Sequence, residues 1–362
     1  MPVPHFYYNP RSVEYDFGPQ HPLRPQRLGR TLAVLDACVP GFSPVDPGPG
    51  SVKDALLVHS LEYVETVRAL SDDASVMCRE EMWPWGFGTG DNPAFPGMFE
   101  ASLAYLSGTA RAAREVRDGA ELAFGIAGGL HHAMRSRASG FCVFNDPAVA
   151  CVVLRERFER VAYVDIDLHH GDGVQALFFD DPTVMTCSIH ETGRRLFPGT
   201  GFVEERGAGD ACVNVPLEPF TTGDVWLWAF EKGLRPFLSH FNPGAVVLQM
   251  GTDAHFLDPL GHLQVSAQEW LEAVRMVQSL GVPLVALGGG GYAQECVPRM
   301  WASAVMALSG VPYGDDLPTS IPREWGMPTF ADPELPQPRD QGRSAANSVV
   351  KCLVGTDSRP ST

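Results

Sequence analysis

The stretch VAYVDIDLHHGDG, residues 161–173, decides how the rest of the sequence is interpreted. Its first part, through Ile166, is a short and nearly continuous run of β-branched and aromatic residues, which predicts a buried strand. Asp165, Asp167 and His169 then occupy alternate positions, and a strand that stayed extended this far would send their side chains to one side. Two carboxylates and an imidazole gathered in a buried place are costly unless a cation compensates them. The stretch therefore predicts a metal site, with a solvated turn at the strand end as the alternative.

Strand and helix signals alternate around this stretch. Apolar runs at residues 121–126, 183–189, 245–250 and 282–287 predict strands, and residues 98–118, 145–158, 224–241, 266–280 and about 294–308 have helical spacing. This alternation predicts a single α/β domain with a mainly parallel central sheet and helices on both faces. A further strand is predicted at residues 54–59, DALLVH, and a loop rich in Gly and Pro at residues 82–97.

The domain predicted from these signals covers residues 1–312, because neither an internal repeat nor a linker interrupts them. Residues 313–362 are rich in Pro and have little apolar periodicity. We expect this extension to pack on the surface or to be partly disordered, with a frayed end.

Composition excludes several classes of function. The chain has 27 basic and 43 acidic residues and a net charge of −16, which argues against a nucleic-acid-binding surface. It contains no run of about 18 apolar residues, so no membrane span is expected. Its first residues, MPVPHFYYNP, lack the basic start and apolar core of a signal peptide, so we expect a cytoplasmic protein. The eight cysteines form no C-x-x-C pair and are interpreted as reduced thiols.

Side chains that can bind a metal or transfer protons follow several predicted strands. Ligands of open parallel sheets bind at this carboxyl end of the strands. Asp253 directly follows residues 245–250 and is a candidate third ligand beside Asp167 and His169, although it could instead cap a turn or a helix. Three protein ligands would leave a position open for water, as in catalytic metal sites. His255 is a rival ligand, and Asp258 is better interpreted as a turn-capping acid before proline.

Other strand ends carry groups suited to proton transfer. His131 and His132 follow two glycines, and each could donate one ring N–H to a carboxylate, such as Asp165 or Asp172, and use its other nitrogen for proton transfer. A satisfied core histidine is the alternative for each. Tyr292 ends GGGGY, which lacks the pattern of a phosphate-binding loop; its hydroxyl could stabilise an oxyanion.

Two loop aromatics have an open interpretation. Phe141, in SGFCVFND, and Phe197, in RLFPGTG, could wall a narrow apolar tunnel or could belong to the ordinary core.

The motifs GGLHHA, SGFCVFND, VDIDLHHGDG, PGTG, LQMGTDA and LGGGGY, in this order, resemble the zinc-dependent histone deacetylases and their bacterial relatives over roughly residues 15–312. The segment TGDNPAFPGM makes the chain most similar to the bacterial acetoin-utilisation (AcuC) type. This resemblance implies an arginase/deacetylase-like fold and the hydrolysis of acetyl-lysine to lysine and acetate.

The resemblance also implies individual roles. Metal ligands would be Asp167, His169 and Asp253, which hold Zn²⁺ or, in the cell, Fe²⁺. His132 would be the main general base and acid, assisted electrostatically by His131, while Tyr292 polarises the carbonyl. Asp165 and Asp172 would orient the two histidines. The tunnel and its rim would bind substrate through Asp91, Gly140, Phe141, Phe197, Leu260 and Gly290. Arg27 would lie in an inner acetate channel. A structural K⁺ or Na⁺ would be bound by Asp165, Asp167, His169, Ser188 and Ile189.

Three alternatives stay open at this point. Binuclear ureohydrolases share the expected fold, but Gly171 and His255 occupy the positions of their second-ion acids. Acetylpolyamine amidohydrolases use an acid at the tunnel mouth, where this chain has Leu260. A non-enzymatic scaffold would be expected to lack a ligand or a catalytic group, and none is missing. For a deacetylase of proteins, the AcuC resemblance suggests an acyl-CoA synthetase as the acetylated partner.

Overall fold

The computed structural model of the protein describes residues 3–88, 90–326 and 328–356. Within these ranges it contains one parallel sheet with the strand order β1-β6-β5-β2-β3-β4. The strands are β1 (Leu122–Gly125), β2 (Val161–Asp165), β3 (Val184–Glu191), β4 (Cys212–Leu217), β5 (Ala245–Gln249) and β6 (Leu284–Leu287). The predicted parallel α/β architecture is confirmed.

Helices connect the strands and cover both faces of the sheet. Those in the described ranges are α1 (Gln26–Cys38), α2 (Val52–Ala55), α3 (Leu61–Asp72), α4 (Arg79–Met82), α5 (Met98–Asp118), α6 (Asp146–Arg155), α7 (Asp172–Phe178), α8 (Gly223–Ala229), α9 (Arg235–Phe241), α10 (Ala267–Gln278), α11 (Val297–Leu308) and α12 (Arg343–Thr356). A π-helical turn, Phe230–Leu234, joins α8 to α9. None of the described helices is both long and apolar enough to span a membrane.

Successive side chains of the strands point to opposite faces of the sheet, and each face packs in its own apolar layer. In β2, Val161 and Tyr163 pack in the layer that contains α3, α5 and α6. Ala162 and Val164 pack in the opposite layer with α8, α10 and α11. Every residue of β2 is buried, as expected for a central strand of a parallel sheet covered on both sides.

The two central strands, β2 and β5, pair in parallel with Asp165 opposite Gln249. From β2 the chain continues to β3 and β4 on one side, and it returns on the other side with β5 and β6. The gap beyond the carboxyl ends of β2 and β5 is therefore a topological switch point, where ligands of open α/β sheets bind.

One predicted strand is wrong. Residues 54–59 form the end of α2 and the following turn instead. Ser51 caps this short helix by accepting the Lys53 N–H at 3.2 Å. Ala55 and Val58 are buried, whereas Leu56 and Leu57 are 38% and 40% exposed, so burial follows a helical spacing of three. A short apolar run does not distinguish the two structures by itself.

Several elements were not predicted, among them helices α3, α4, α7 and α12 and the edge strand β4. The edge strand β4 pairs with β3 alone, and Asn214 and Pro216 interrupt its apolar pattern; proline is tolerated there because an edge strand lacks a second hydrogen-bonded neighbour. Helix α12 lies in the carboxyl-terminal extension and packs against β4 and α8. Ala346 and Leu353 on α12 are buried. The end of the extension, residues 357–362, lies outside the described residues.

Candidate metal centre and active site

Three buried side chains meet beyond the central strands. Asp167 and His169 follow β2, and Asp253 follows β5. His169 Nδ1 lies 3.3 Å from Asp167 Oδ1 and 3.0 Å from Asp253 Oδ2, and one ligand atom from each residue lies within 4.8 Å of the others. Strand β2 ends at Asp165, so a turn rather than an extended strand brings Asp167 and His169 together.

The chemistry of this donor set fits a divalent cation. Two carboxylates and one imidazole suit Zn²⁺ or Fe²⁺ and leave coordination positions open. Burial, and then the neighbouring Asp167 carboxylate, raise the pKa of Asp253 to about 7. Two adjacent carboxylates cannot both ionise easily without compensating positive charge. Burial favours the neutral form of His169, but hydrogen bonds to Asp167 and Asp253 outweigh it and raise the pKa of this ring to about 10. A proton on His169 thus supplies positive charge that a bound metal ion would replace.

Backbone and amide donors hold the carboxylates in place. Asp167 Oδ2 accepts hydrogen bonds from Gly290 N at 2.8 Å and from Gln249 Nε2 at 2.7 Å. Asp253 Oδ1 accepts the Leu168 N–H at 3.0 Å. A Cβ atom on Gly290 would lie 2.2 Å from Asp253 Oδ2, so only glycine brings the backbone this close. Gly290 therefore borders the metal centre.

The two histidines form hydrogen-bonded pairs with the acids expected for them. His131 Nδ1 lies 2.8 Å from Asp165 Oδ2, and His132 Nδ1 lies 2.6 Å from Asp172 Oδ1. The Nε2 atoms of the two rings are 3.0 Å apart. Asp165 Oδ2 also accepts the hydroxyl of Tyr163 at 2.7 Å.

The environment moves the pKa values of the two rings in opposite directions. Burial favours the neutral form of His131, but the Asp165 and Asp167 carboxylates outweigh it and raise its pKa to about 9. Burial and the neighbouring positive charge of His131 lower the pKa of His132 to about 4. At neutral pH the pair thus consists of a cation and a neutral base, a division typical of acid–base sites.

The residues that fix the backbone before and at His131 were not predicted from the sequence. Asp146 accepts the N–H groups of Gly129 at 2.8 Å and Leu130 at 2.9 Å. The Asn145 side chain donates to His131 O at 3.1 Å, while its Oδ1 accepts the Ala148 N–H and caps α6. An Asn-Asp pair before a helix indicates an ordinary cap, so its second contact could not be inferred from the pattern.

A narrow cavity reaches the metal centre between aromatic rings. Besides the metal ligands Asp167 and His169, it is lined by Leu23, Arg27, Gly129, Leu130, His131, His132, Gly140, Phe141, Cys142, Gly289, Gly290 and Tyr292. Phe141 packs edge-to-face against Tyr292 with ring centroids 5.8 Å apart, and Phe197 packs against His132 at 5.0 Å. A Cβ atom on Gly140 would lie 2.4 Å from the His132 ring. Phe197 thus packs against the histidine pair, and Phe141 packs against Tyr292.

Arg27 lies at the inner side of this cavity and is buried. One of its Nη atoms donates to Gly289 O at 2.8 Å and to Gly291 O at 3.1 Å, and its guanidinium lies over the Trp301 ring. A second small cavity shares Arg27 and Leu130 with the first and is also lined by Ser12 and Tyr105.

Three predicted substrate residues are not among the residues that line the cavity, namely Asp91, Phe197 and Leu260. Asp91 is exposed, and its backbone carbonyl is 3.2 Å from His21 Nε2. Leu260 is half-buried, and its N–H donates to Asp258 Oδ1 at 3.0 Å. Asp258 Oδ2 accepts the Tyr292 N–H at 2.7 Å, so this acid caps turns, as expected, and joins the Leu260 loop to the tyrosine.

Gly171 and His255, which stand where binuclear enzymes have acids for a second divalent ion, are not placed to bind one. A Cβ atom on Gly171 would lie 2.3 Å from Asp165 Oδ2, which leaves no room for an acidic side chain. His255 Nε2 is 2.9 Å from Asp332 Oδ2 and thus faces away from the metal centre.

The five residues expected to bind a monovalent cation are adjacent. Asp165 and Ser188 are register partners in β2 and β3, and Ile189 follows in β3. The Ser188 hydroxyl is 2.7 Å from His190 Nδ1.

Comparisons with known proteins agree with this geometry. The sequence model of the family described as "Histone deacetylase domain" matches residues 21–308. The acetoin utilization protein AcuC of Bacillus subtilis is 37% identical over 374 residues, which covers 96% of each chain. The histone deacetylase clr6 of Schizosaccharomyces pombe is 36% identical, covering 86% of this chain and 78% of that protein. The crystal structure of an HDAC homologue from Aquifex aeolicus superposes with a TM-score of 0.86 at 28% identity, covering 96% of this chain and 99% of that one.

Proposed function

The chain belongs to the histone deacetylase family, and from this premise we propose that it hydrolyses the acetyl amide of acetyl-lysine side chains in proteins with one bound Zn²⁺. The observation that carries the proposal is the position of the Asp167, His169 and Asp253 cluster beside the paired histidines, at the end of a cavity walled by aromatic rings. A long, thin, uncharged side chain such as acetyl-lysine matches a passage of this kind.

A divalent cation bound by Asp167, His169 and Asp253 would polarise the amide carbonyl and lower the pKa of water. Neutral His132, held by Asp172, accepts the proton as the oxygen of water adds to the carbonyl carbon. The Tyr292 hydroxyl donates a hydrogen bond to the resulting oxyanion. When the C–N bond breaks, His132 returns the proton to the lysine amine and acetate is released.

Positively charged His131 stabilises the negative charge that develops during this attack. Asp165 keeps that charge in place because its carboxylate bonds His131 Nδ1 at 2.8 Å. Arg27, buried at the inner side of the cavity, offers a positive charge to the departing acetate. We assign it to the acetate channel on that basis.

The identity of the substrate is part of the proposal. Leu260 supplies no negative charge to receive the second amine of an acetylpolyamine, which favours acetyl-lysine. Asp91 is exposed, and its carboxylate can accept N–H groups of a substrate backbone. An acyl-CoA synthetase as the acetylated protein, a cytoplasmic location, and K⁺ or Na⁺ at the Asp165 and Ser188 cluster rest on the sequence alone.

A single assay with purified protein tests cofactor and reaction together. The chain is stripped of metal, reloaded with Zn²⁺ or Fe²⁺, and supplied with an acetyl-lysine peptide or with acetylspermidine. We expect one metal equivalent, metal-dependent release of acetate, and a kcat/KM at least about tenfold higher for the peptide, since a mismatched polar contact costs about 1 kcal/mol or more. A preference for acetylspermidine would reject the protein substrate, and two metal equivalents would reject the mononuclear site.

A further inference from the structure

His21 connects the tunnel wall to the rim. It is buried, with 8% of its surface exposed, in the segment between Phe17 and Leu23. Its Nδ1 accepts the Leu23 N–H at 3.1 Å, and its Nε2 lies 3.2 Å from the backbone carbonyl of Asp91. A nitrogen that accepts an N–H carries no proton of its own, so the proton must be on Nε2, which donates to Asp91 O.

The ring of His21 is fixed by aromatic contacts as well. It packs edge-to-face on Phe141 with centroids 4.4 Å apart and tilted against Phe17 at 4.6 Å. The Phe141 backbone is held from another side, because its carbonyl accepts the Tyr15 hydroxyl at 2.8 Å. One imidazole therefore spans from the tunnel wall to the Asp91 segment.

We propose that His21 is a positioning residue for substrate, which sets the position of the Asp91 segment relative to Phe141 at the tunnel mouth. This inference rests on the proposed function, in which Asp91 receives the substrate backbone outside the tunnel while the acetyl-lysine side chain enters beside Phe141. Because the residue acts on the mouth and contacts neither the metal ligands nor the paired histidines, it governs substrate binding and leaves the chemical step unchanged.

The electrostatic surroundings favour the neutral ring that this arrangement requires. Burial lowers the pKa of His21 from its ordinary value, although the carboxylates of Asp91 and Asp16 act in the opposite direction. Protonation of Nδ1 would break the bond from Leu23 N–H. The ring therefore keeps one donor and one acceptor in fixed directions.

Two substitutions distinguish the hydrogen bond of His21 to Leu23 from its hydrogen bond to Asp91. In His21→Asn, the amide oxygen can replace Nδ1 as the acceptor for Leu23, but the bond to Asp91 is lost. In His21→Gln, the longer side chain places its NH₂ group near the position of Nε2 and can restore that bond. We expect KM for an acetyl-lysine peptide to rise about tenfold in His21→Asn and less than about threefold in His21→Gln, with kcat within about twofold of wild type in both, as for loss of one hydrogen bond.

A substrate control and a double substitution test whether His21 acts through Asp91. Acetyl-lysine without flanking peptide bonds lacks the backbone N–H groups that Asp91 would bind, so its KM should change little in His21→Asn. In an Asp91→Ala background, His21→Asn should add less than about twofold to KM, because both changes remove the same contact. Fully additive effects, or equal effects of Asn and Gln, would overturn the proposal and leave His21 an ordinary packing residue.

A spectroscopic measurement is independent of activity. ¹⁵N-labelled histidine in the folded wild-type chain should give the signature of the Nε2–H tautomer for His21 at pH 7, assigned by its disappearance in His21→Gln. The Nδ1–H tautomer or an imidazolium would reject the bond to Asp91. If this tautomer is found but the wild type does not hydrolyse acetyl-lysine, the proposed function fails; if the wild type is active and His21→Asn has normal KM, the positioning role fails.

Discussion

The short loop after β5 contributes to two buried clusters of aspartate and histidine, and only one of them contains an arginine. Asp253 of this loop belongs to the metal centre with Asp167 and His169. Two residues later, His255 belongs to a second cluster, in which Asp332 bonds both His255 and Arg299. The same residue types thus serve two purposes within three positions of the chain.

The pKa values of the two aspartates record this difference. Burial acts to raise the pKa of both carboxyl groups. At Asp253 the Asp167 carboxylate adds to that effect, and the pKa rises to about 7. At Asp332 the hydrogen bond and charge of His255 and the charge of Arg299 outweigh burial, and the pKa falls to about 2. The positive charge at Asp253 comes from His169, whose pKa is raised to about 10 by its bonds to Asp167 and Asp253 and whose proton a metal ion can replace. At Asp332 it includes the permanent charge of Arg299, which anchors the carboxyl-terminal extension to α11.

The largest expected effect comes from removing a carboxylate of the metal centre. We expect Asp253→Asn to lose bound metal and to lower kcat/KM at least about a thousandfold, since several kcal/mol of stabilisation by the ion are lost. In the absence of metal, the variant should be no less stable than metal-free wild type, because the substitution relieves repulsion with Asp167. Metal analysis, turnover and urea unfolding measure these three quantities.

Asp180→Asn, at an exposed position, is the matched control and should change none of the three. Turnover near the wild-type value in Asp253→Asn with metal still bound would contradict the distinction between the clusters.

The cluster of His255, Asp332 and Arg299 should respond in the opposite way. Arg299→Met leaves the Asp332 carboxylate buried with less compensation, so we expect the free energy of unfolding to fall by about 3 kcal/mol. The folded variant should still bind one equivalent of metal. Urea unfolding of the metal-free protein measures the loss, and Asp332→Asn added to Arg299→Met should recover part of it. Unchanged stability would mean that the second cluster has no anchoring role.

The sequence could reveal the first cluster and not the second for a physical reason. Each residue of the metal centre follows a strand whose apolar pattern is local, and parallel strands bring their carboxyl ends to one edge. Asp332 and Arg299 are 33 residues apart, and Asp332 lies in an extension without periodicity. The bonds from Asp146 to Gly129 and from His21 to Asp91 likewise join distant segments. Contacts of this kind depend on the tertiary structure and leave no local pattern.

A third substitution tests the chemical step without changing the charge or the metal content of the metal centre. Tyr292→Phe keeps the ring on Phe141 and leaves both clusters intact, so metal content and unfolding free energy should equal those of wild type. We expect kcat to fall about a hundredfold, as when an oxyanion donor is removed. Single-turnover kinetics with the acetyl-lysine peptide measure the chemical step directly. A wild-type rate would assign Tyr292 to packing alone.

The smallest effect is the stabilisation that metal gives to the folded chain. At a free Zn²⁺ concentration ten times its Kd, a ligand that binds only the native state stabilises it by about 1.4 kcal/mol. We expect this increment, measured as a rise in Tm over the metal-free protein, in wild type and in Arg299→Met but not in Asp253→Asn. An equal increment in all three would place the bound ion outside the Asp253 cluster, and loss of the increment in Arg299→Met would mean that the two clusters depend on each other through the loop they share.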